Sequence, residues 1–104
     1  MADSRLRIAR NAAGGAVHVS GELDAATALE FERRLEQELR AEDGDLTVEL
    51  SEVTFMDSTG VQVLIGLARS LQGRGRLILL APVGAVRRTL ELVEIERIPN
   101  LVLR

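Results

Sequence analysis

The chain of 104 residues contains no cysteine, no tryptophan and no tyrosine, and its aromatic side chains are two phenylalanines. The absence of cysteine excludes disulfides, thiolate catalysis and cysteine-ligated metals, and it fits a reducing compartment. Because large rings are scarce, the core must be built from Leu, Val, Ile and Ala, which suits helices packed on a sheet. We expect a chain of this length to form one domain over residues 1–104.

Long hydrophobic runs and an excess of positive charge are also missing. No apolar run reaches the roughly 18 residues that a membrane span needs, and the first residues lack the hydrophobic stretch of a signal peptide. The net charge of −3 argues against nucleic-acid binding by bulk electrostatics. The sequence therefore predicts a cytoplasmic protein with no membrane or nucleic-acid partner.

Signatures of cofactor binding are absent too. The chain has one histidine and no cysteine, so it offers few ligands for a transition metal. The glycines form neither a Gly-x-Gly-x-x-Gly fingerprint nor a phosphate-binding P-loop. We therefore expect no metal and no cofactor.

Hydrophobic patterning predicts the order strand, strand, helix, strand, helix, strand, helix, strand. The predicted strands are residues 6–10, 16–20, 46–50, 76–80 and 98–103, and the predicted helices cover 25–39, about 58–72 and a segment that begins at 83 or 84. Turn residues lie at 11–15 and 41–45. An opening hairpin followed by strand–helix alternation predicts an α/β fold, with a mixed, mostly parallel sheet and helices packed on it.

Several apolar side chains are expected to face the core. On the first and third helices they recur at helical spacing, at Ala28, Phe31, Leu35 and Leu39 and at Val83, Val86, Leu90 and Val93. After the third strand, Val53 and Phe55 are expected to turn inward. His18 alternates with Val17 and Val19, so we expect it to be an ordinary sheet residue on the opposite face.

Two polar loops follow consecutive strands of the parallel part of the sheet. Gly21-Glu22-Leu23-Asp24 precedes the first helix, and Phe55-Met56-Asp57-Ser58-Thr59-Gly60 precedes the second. Binding sites of such sheets lie beyond the carboxyl ends of the strands, so we expect the two loops to meet there.

The same loops contain good helix caps. Asp24 is the predicted N-cap of the first helix, with Thr27 as a weaker alternative. The second helix can be capped by Asp57, Ser58 or Thr59. Gly60 has no side chain, which leaves room for another group to approach.

The two loops and the order of elements together resemble the STAS family, the sulfate-transporter and anti-sigma-factor-antagonist domains. The resemblance covers essentially the whole chain and is greatest to the stand-alone bacterial anti-sigma factor antagonists. It implies a non-enzymatic partner switch in transcription regulation. In such proteins the unphosphorylated antagonist binds an anti-sigma factor that is also a serine kinase, and the sigma factor is freed. Phosphorylation then releases the antagonist, and a serine phosphatase resets it.

The resemblance also implies which residues carry the switch. Ser58 is the implied phosphorylation site, with Thr59 as the alternative acceptor. The implied partner-binding residues are Glu22, Asp24, Asp57, Ser58, Thr59, Gly60 and Val61. No catalytic residue is implied.

Other interpretations of these residues stay open at the level of sequence. A hydroxyl at a helix start is commonly only a cap, and Glu22 with Asp24 could form an acid–base pair. A Ser-His-Asp hydrolase would require His18 near Ser58, but no Gly-x-Ser-x-Gly elbow surrounds that serine. The domain could also be an accessory subunit of a transporter or sensory complex that phosphorylation does not control. Finally, the start of the second helix could hold the phosphate of a nucleotide.

Overall fold

One mixed sheet of five strands organises the chain, with the strands in the order β1-β2-β3-β4-β5. The computed structural model describes residues 5–10, 15–41 and 44–104. The strands are β1 Leu6–Arg10, β2 Val17–Leu23, β3 Leu46–Met56, β4 Leu77–Leu80 and β5 Leu101–Leu103. The helices are α1 Ala28–Ala41, α2 Ser58–Leu71 and α3 Gly84–Leu92, and a short 3₁₀ helix covers Ile95–Arg97. The predicted order of strands and helices is confirmed; the predicted turns at 11–15 and 41–45 lie partly outside the described residues.

The strand pairing confirms a mixed, mostly parallel sheet. β1 pairs with β2 in the antiparallel sense, and the three later pairings are parallel. Each helix connects a strand to its immediate neighbour, and the chain moves across the sheet in one direction from β2 to β5. Because such crossovers are right-handed, the three helices lie on one face of the sheet. We call the other face the open face. We call the end of the sheet formed by the last residues of β2 to β5 the carboxyl edge.

The core fills the space between the helices and one face of the sheet. Alternate strand residues such as Val48, Leu50, Leu77 and Leu79 belong to the same apolar cluster as side chains from the three helices. The predicted inward face of α1, which is Ala28, Phe31, Leu35 and Leu39, is buried. Full burial of one such side chain contributes about 1.5–3 kcal/mol, so this layer supplies the main driving force for folding.

Two strands are longer than their patterns predict, and the expected position of Phe55 is wrong. β2 extends through Leu23, and β3 extends to Met56 where a connection was predicted. The register between β2 and β3 shifts in two places because β3 contains extra residues there, and such bulges break the alternation on which a sequence pattern depends. Val53 and Met56 face the core at 2% and 5% exposure, whereas Phe55 is 47% exposed.

The ends of α3 also differ from the predicted inward face. Val86 and Leu90 are buried as expected, but Val83 and Val93 are 53% and 49% exposed. These two residues lie just outside the helix as its N-cap and C-cap, so helical spacing does not apply to them. The last strand is shorter than predicted because residues 98–100 form a turn, in which the Leu101 N–H donates to the Ile98 carbonyl oxygen at 3.3 Å and Asn100 has a positive φ.

α2 packs so closely against the ends of β2 and β3 that a side chain at its third residue, Gly60, would crowd its neighbours. A Cβ atom at Gly60 would lie 3.0 Å from both Leu23 Cβ and Met56 Cγ, and 3.2 Å from the Leu23 carbonyl oxygen. The close approach predicted at Gly60 is therefore confirmed. Gly66, farther along the same helix, is exposed, and a Cβ atom there would meet no heavy atom within 4 Å.

Asn100 links the end of α2 to the last two strands. Its Nδ2 donates to the carbonyl oxygens of Ala68 at 2.6 Å and Gly75 at 3.1 Å, and its backbone carbonyl oxygen accepts from the Leu77 N–H at 2.8 Å. The backbone of Asn100 has a φ of 52°, in the left-handed region that asparagine tolerates better than most residues. One side chain thus holds three segments together.

Alanine at the two glycines of α2 is expected to have opposite effects. Gly60→Ala should lower the free energy of unfolding by about 1–3 kcal/mol because Leu23 and Met56 must shift. Gly66→Ala is the matched control and should raise it by about 0.5–1 kcal/mol, because alanine loses less conformational freedom than glycine in a helix. Urea unfolding followed by circular dichroism measures both changes. Equal effects at the two positions would contradict the close packing at Gly60.

Replacement of Asn100 by aspartate is expected to lower the free energy of unfolding by about 1–3 kcal/mol. The substitution keeps the size and backbone tolerance of the residue but sets a carboxylate against the carbonyl oxygens of Ala68 and Gly75. The loss should therefore be larger at pH 7 than at pH 3, relative to wild type measured at the same pH. An Asn100→Asp protein as stable as wild type at pH 7 would show that the side-chain link is dispensable.

Candidate functional site

Asp57 caps α2, so of the three possible caps the carboxylate is the one used. Its Oδ1 accepts hydrogen bonds from the backbone N–H groups of Thr59 at 2.9 Å and Gly60 at 3.4 Å, and its carbonyl oxygen accepts from the Val61 N–H at 3.2 Å. Such a cap stabilises a helix by about 0.5–2 kcal/mol. Because Asp57 already occupies these N–H groups, the helix start offers little to an incoming nucleotide phosphate.

Ser58 is the first residue of α2 and its side chain is exposed. Within the described part of the chain, its hydroxyl has no hydrogen-bond partner. Thr59 is less exposed. The helix therefore does not depend on the Ser58 side chain, and its hydroxyl faces solvent.

Asp24 holds the loop before α1 in the same way. Its Oδ1 accepts from the N–H groups of Ala26 at 2.9 Å and Thr27 at 3.2 Å. Asp24 thus caps the turn that leads into α1, and the helix itself begins at Ala28 rather than at the predicted residue 25. Thr27 braces the loop instead: its buried hydroxyl donates to the Glu22 carbonyl oxygen at 2.7 Å and accepts from the Asp24 N–H at 3.1 Å. The two loops are thus built on the same carboxylate-capped turn.

The two loops meet at the carboxyl edge, as predicted. The Asp57 N–H donates to the Leu23 carbonyl oxygen at 3.1 Å, and Leu23 is paired with Met56 across the parallel strands. Asp24 and Ser58 each follow one of these bonded residues directly. The hydrogen bond therefore brings the acidic loop of β2 beside the serine that opens α2.

Arg5 adds a positive charge to this edge. Because β1 is antiparallel to β2, its start lies beside the end of β2, and the Arg5 carbonyl accepts from the Glu22 N–H at 2.8 Å. The Arg5 guanidinium contacts Glu22 Oε1 at 2.8 Å and Asp24 Oδ2 at 3.1 Å. Partial burial opposes ionisation of Asp24, but the N–H groups of Ala26 and Thr27 and the charge of Arg5 outweigh it and hold the pKa of Asp24 below its usual value.

The structure separates the predicted partner-binding residues into two groups. Glu22, Asp24, Asp57, Ser58 and Thr59 reach the surface of the carboxyl edge, whereas Gly60 and Val61 are buried. Sequence reasoning missed Arg5 and the exposed Phe55, which is paired with Glu22 at the same edge. The hairpin pattern could have indicated Arg5, because it places the start of the first strand beside the end of the second.

The geometry does not support a hydrolase. The ring of His18 contacts Glu49 and Glu52, not Ser58, so no serine–histidine pair forms. Among the described residues, no group of three or more His, Asp and Glu side chains could hold a metal ion. In the same part of the chain, none of the helices has the length and apolar character that crossing a membrane requires.

Comparison with known proteins gives a consistent result. Residues 6–104 match the STAS domain family. The chain is 35% identical over 86 residues to the anti-sigma-B factor antagonists of Listeria monocytogenes and Listeria innocua, which covers 83% of this chain and 74% of each relative.

Solved structures agree with the sequence relatives. A crystal structure of an anti-sigma factor antagonist from Mycobacterium paratuberculosis superposes with a TM-score of 0.83 at 25% identity, covering 97% of this chain and 88% of that one. The unphosphorylated form of the anti-sigma factor antagonist SpoIIAA has the same fold, with a TM-score of 0.70 at 20% identity, and covers 95% of this chain and 87% of that one. The family match and the sequence relatives show that the chain belongs to the STAS-domain family of anti-sigma factor antagonists.

Proposed function

We propose that the unphosphorylated protein binds an anti-sigma factor with serine kinase activity through the carboxyl edge, and that phosphorylation of Ser58 by this partner ends the complex. The observation that carries the proposal is the free, exposed hydroxyl of Ser58 on a helix that Asp57 caps. A kinase can reach this hydroxyl without opening the helix. Release of the sigma factor follows when its anti-sigma factor is occupied by the antagonist.

Ser58 is a better acceptor than Thr59 for two reasons. Ser58 is exposed, whereas Thr59 is partly buried. The backbone N–H of Ser58 is also not among those that donate to Asp57, which come from Thr59 and Gly60. Thr59 is fixed by such a bond at 2.9 Å, so its backbone has less freedom to enter a kinase active site. A serine phosphatase would reset the protein by removing the phosphate.

The effect of a phosphate at Ser58 can be estimated from the charges around it. The modification adds about −1.5 to −2 charges, and the helix start favours an anion by roughly 0.3–1 kcal/mol. Each unit negative charge about 6 Å away costs on the order of 3 kcal/mol at an effective dielectric near 20, before salt screening. The carboxylates of this edge therefore oppose the phosphate more than the helix favours it.

The switch follows from this balance and needs no refolding. A partner that packs over Ser58 would have to exclude water from a phosphate dianion that gains little compensation from this chain. We assign the contact surface to Glu22, Asp24, Asp57, Ser58 and Thr59, with Gly60 and Val61 supporting it from the core. We expect the protein to act in the cytoplasm and to have no catalytic activity of its own.

The central test compares two substitutions at Ser58. Ser58→Ala should bind the cognate anti-sigma factor as tightly as wild type without ATP, and it should stay bound when ATP is added because it cannot be phosphorylated. Ser58→Asp should bind at least about tenfold more weakly, a loss of about 1.4 kcal/mol, because the partner must exclude water from an added charge that it does not compensate. Isothermal titration calorimetry measures the affinities.

Ser70 provides a matched control on the same helix. It is exposed near the far end of α2, where its hydroxyl donates to the Gly66 carbonyl oxygen at 3.1 Å. Ser70→Asp adds the same charge away from the carboxyl edge and should leave the affinity close to that of wild type. Equal affinities of Ser58→Ala and Ser58→Asp would overturn the proposal, and so would an intact mass that does not rise after incubation with the partner and ATP.

A further inference from the structure

The first bulge of β3 places two glutamates on the same face of the sheet. In a regular strand, residues 49 and 52 would point to opposite faces because side chains alternate. Here His18 is paired with Glu49 and Ser20 with Glu52, so Leu50 and Ser51 together stand opposite the single residue Val19. This extra residue brings both carboxylates onto the open face beside His18.

His18 joins the two glutamates across the bulge. Its Nδ1 lies 2.6 Å from Glu49 Oε1, and its Nε2 lies 3.1 Å from Glu52 Oε1. Glu49 is held further by the Ser51 hydroxyl, which donates to Oε2 at 2.9 Å. The side chain of Glu49 is 31% exposed and that of Glu52 is 66% exposed, so the contact to Glu49 is the better shielded of the two.

These contacts require a particular protonation state. A carboxylate only accepts hydrogen bonds, and a neutral imidazole has one N–H, so both contacts are satisfied only when both ring nitrogens carry protons. The hydrogen bonds to Glu52 and Glu49 raise the pKa of His18 above its ordinary value, against a smaller opposing effect of burial. The Ser51 hydroxyl and His18 lower the pKa of Glu49.

The remaining neighbours of His18 do not offer a competing charge at hydrogen-bond distance. On β1, Ala9 is directly opposite His18. Arg7, two residues before Ala9, is paired with Ser20. Beyond Glu49, β4 contributes Leu80. Arg7 thus shares the open face with His18, but within the described part of the chain Glu49 and Glu52 are the charged groups that contact the ring.

We propose that the imidazolium of His18 is a clamp that holds the bulge of β3, and that loss of its proton loosens the part of β3 that leads to Ser58. Glu49 precedes the bulge and Glu52 follows it, so one side chain of β2 fixes the spacing between the two halves of β3. The second half ends at Met56, next to the Asp57 N–H that bonds to Leu23. Deprotonation leaves one carboxylate facing a ring nitrogen that has no hydrogen, and that contact becomes repulsive.

The sign of the pH effect follows from the direction of the pKa change. Because His18 binds its proton more tightly in the folded chain than in the unfolded chain, its contribution to stability is complete below the ordinary histidine pKa of about 6.5. The contribution is lost as the pH rises through the raised pKa of the folded state. The strand is therefore expected to loosen as the pH rises through the raised pKa of His18.

The chain offers a direct measurement because it contains a single histidine. In untagged protein, the ring Cε1 proton reports the titration of His18 by NMR without ambiguity. We expect a midpoint above 6.5 in the wild type, and a lower midpoint in Glu52→Gln and in Glu49→Gln. A wild-type midpoint at or below the ordinary value would overturn the clamp.

Hydrogen exchange tests whether the clamp acts on the strand. The protection factor of the Asp57 amide, corrected for the intrinsic pH dependence of exchange, should fall severalfold between pH 6 and pH 9. The amide of Leu77, which donates to the Asn100 carbonyl oxygen at 2.8 Å between β4 and β5, is the internal control and should change less. The His18→Gln variant cannot carry the charge. In this variant the protection factor of the Asp57 amide should change with pH no more than that of the Leu77 amide.

Two results would overturn the proposal. One is a protection factor of Asp57 that follows that of Leu77 at every pH in the wild type. The other is a pH dependence of Asp57 that survives unchanged in His18→Gln. Neither measurement involves phosphorylation or the anti-sigma factor, so failure here is distinguishable from failure of the proposed function.

Discussion

The candidate site depends on one hydrogen bond, which joins the Asp57 N–H to the Leu23 carbonyl oxygen. It fixes the end of β3 against the end of β2 at the point where both strands turn into helices. The missing side chain of Gly60 allows α2 to begin directly above this bond. Since Asp24 and Ser58 each follow a bonded residue, a backbone contact determines how an acidic loop and a serine hydroxyl are placed relative to each other.

The charged side chains of the carboxyl edge fall into two groups: carboxylates that bind backbone N–H groups, and an arginine that pairs with carboxylates on the solvent side. The carboxylates of Asp24 and Asp57 are used within their own loops, where they accept hydrogen bonds from backbone N–H groups. Arg5 binds Asp24 and Glu22 on the solvent side, which limits the negative potential of the unmodified surface. A partner therefore meets an edge on which one guanidinium faces three carboxylates, and a phosphate at Ser58 would add to a negative charge that Arg5 offsets only in part.

The order of elements, the mixed sheet and both capped loops could be predicted from sequence because each depends on local pattern or cap chemistry. The inward face of α1 is an example, since helical spacing alone identifies Phe31 and Leu35. Phe55 could not be placed, because the bulges of β3 are a property of its pairing with β2 and leave no mark in the alternation. The first of these bulges explains why His18, which looks like an ordinary sheet residue, contacts two glutamates that a regular strand would separate.

The use of Asp57 rather than Ser58 as the cap has an evolutionary consequence. The proposed switch assigns folding to Asp57 and signalling to Ser58, so under it selection can alter one residue with little effect on the other. Position 58 is free to vary between a modifiable and a permanently unmodified side chain, and a gene duplicate could become a constitutive antagonist by a single substitution there. Position 57 has less freedom, because only a side chain with an oxygen that can accept from the N–H groups of Thr59 and Gly60, such as that of Asp, Asn or Ser, keeps the cap of α2.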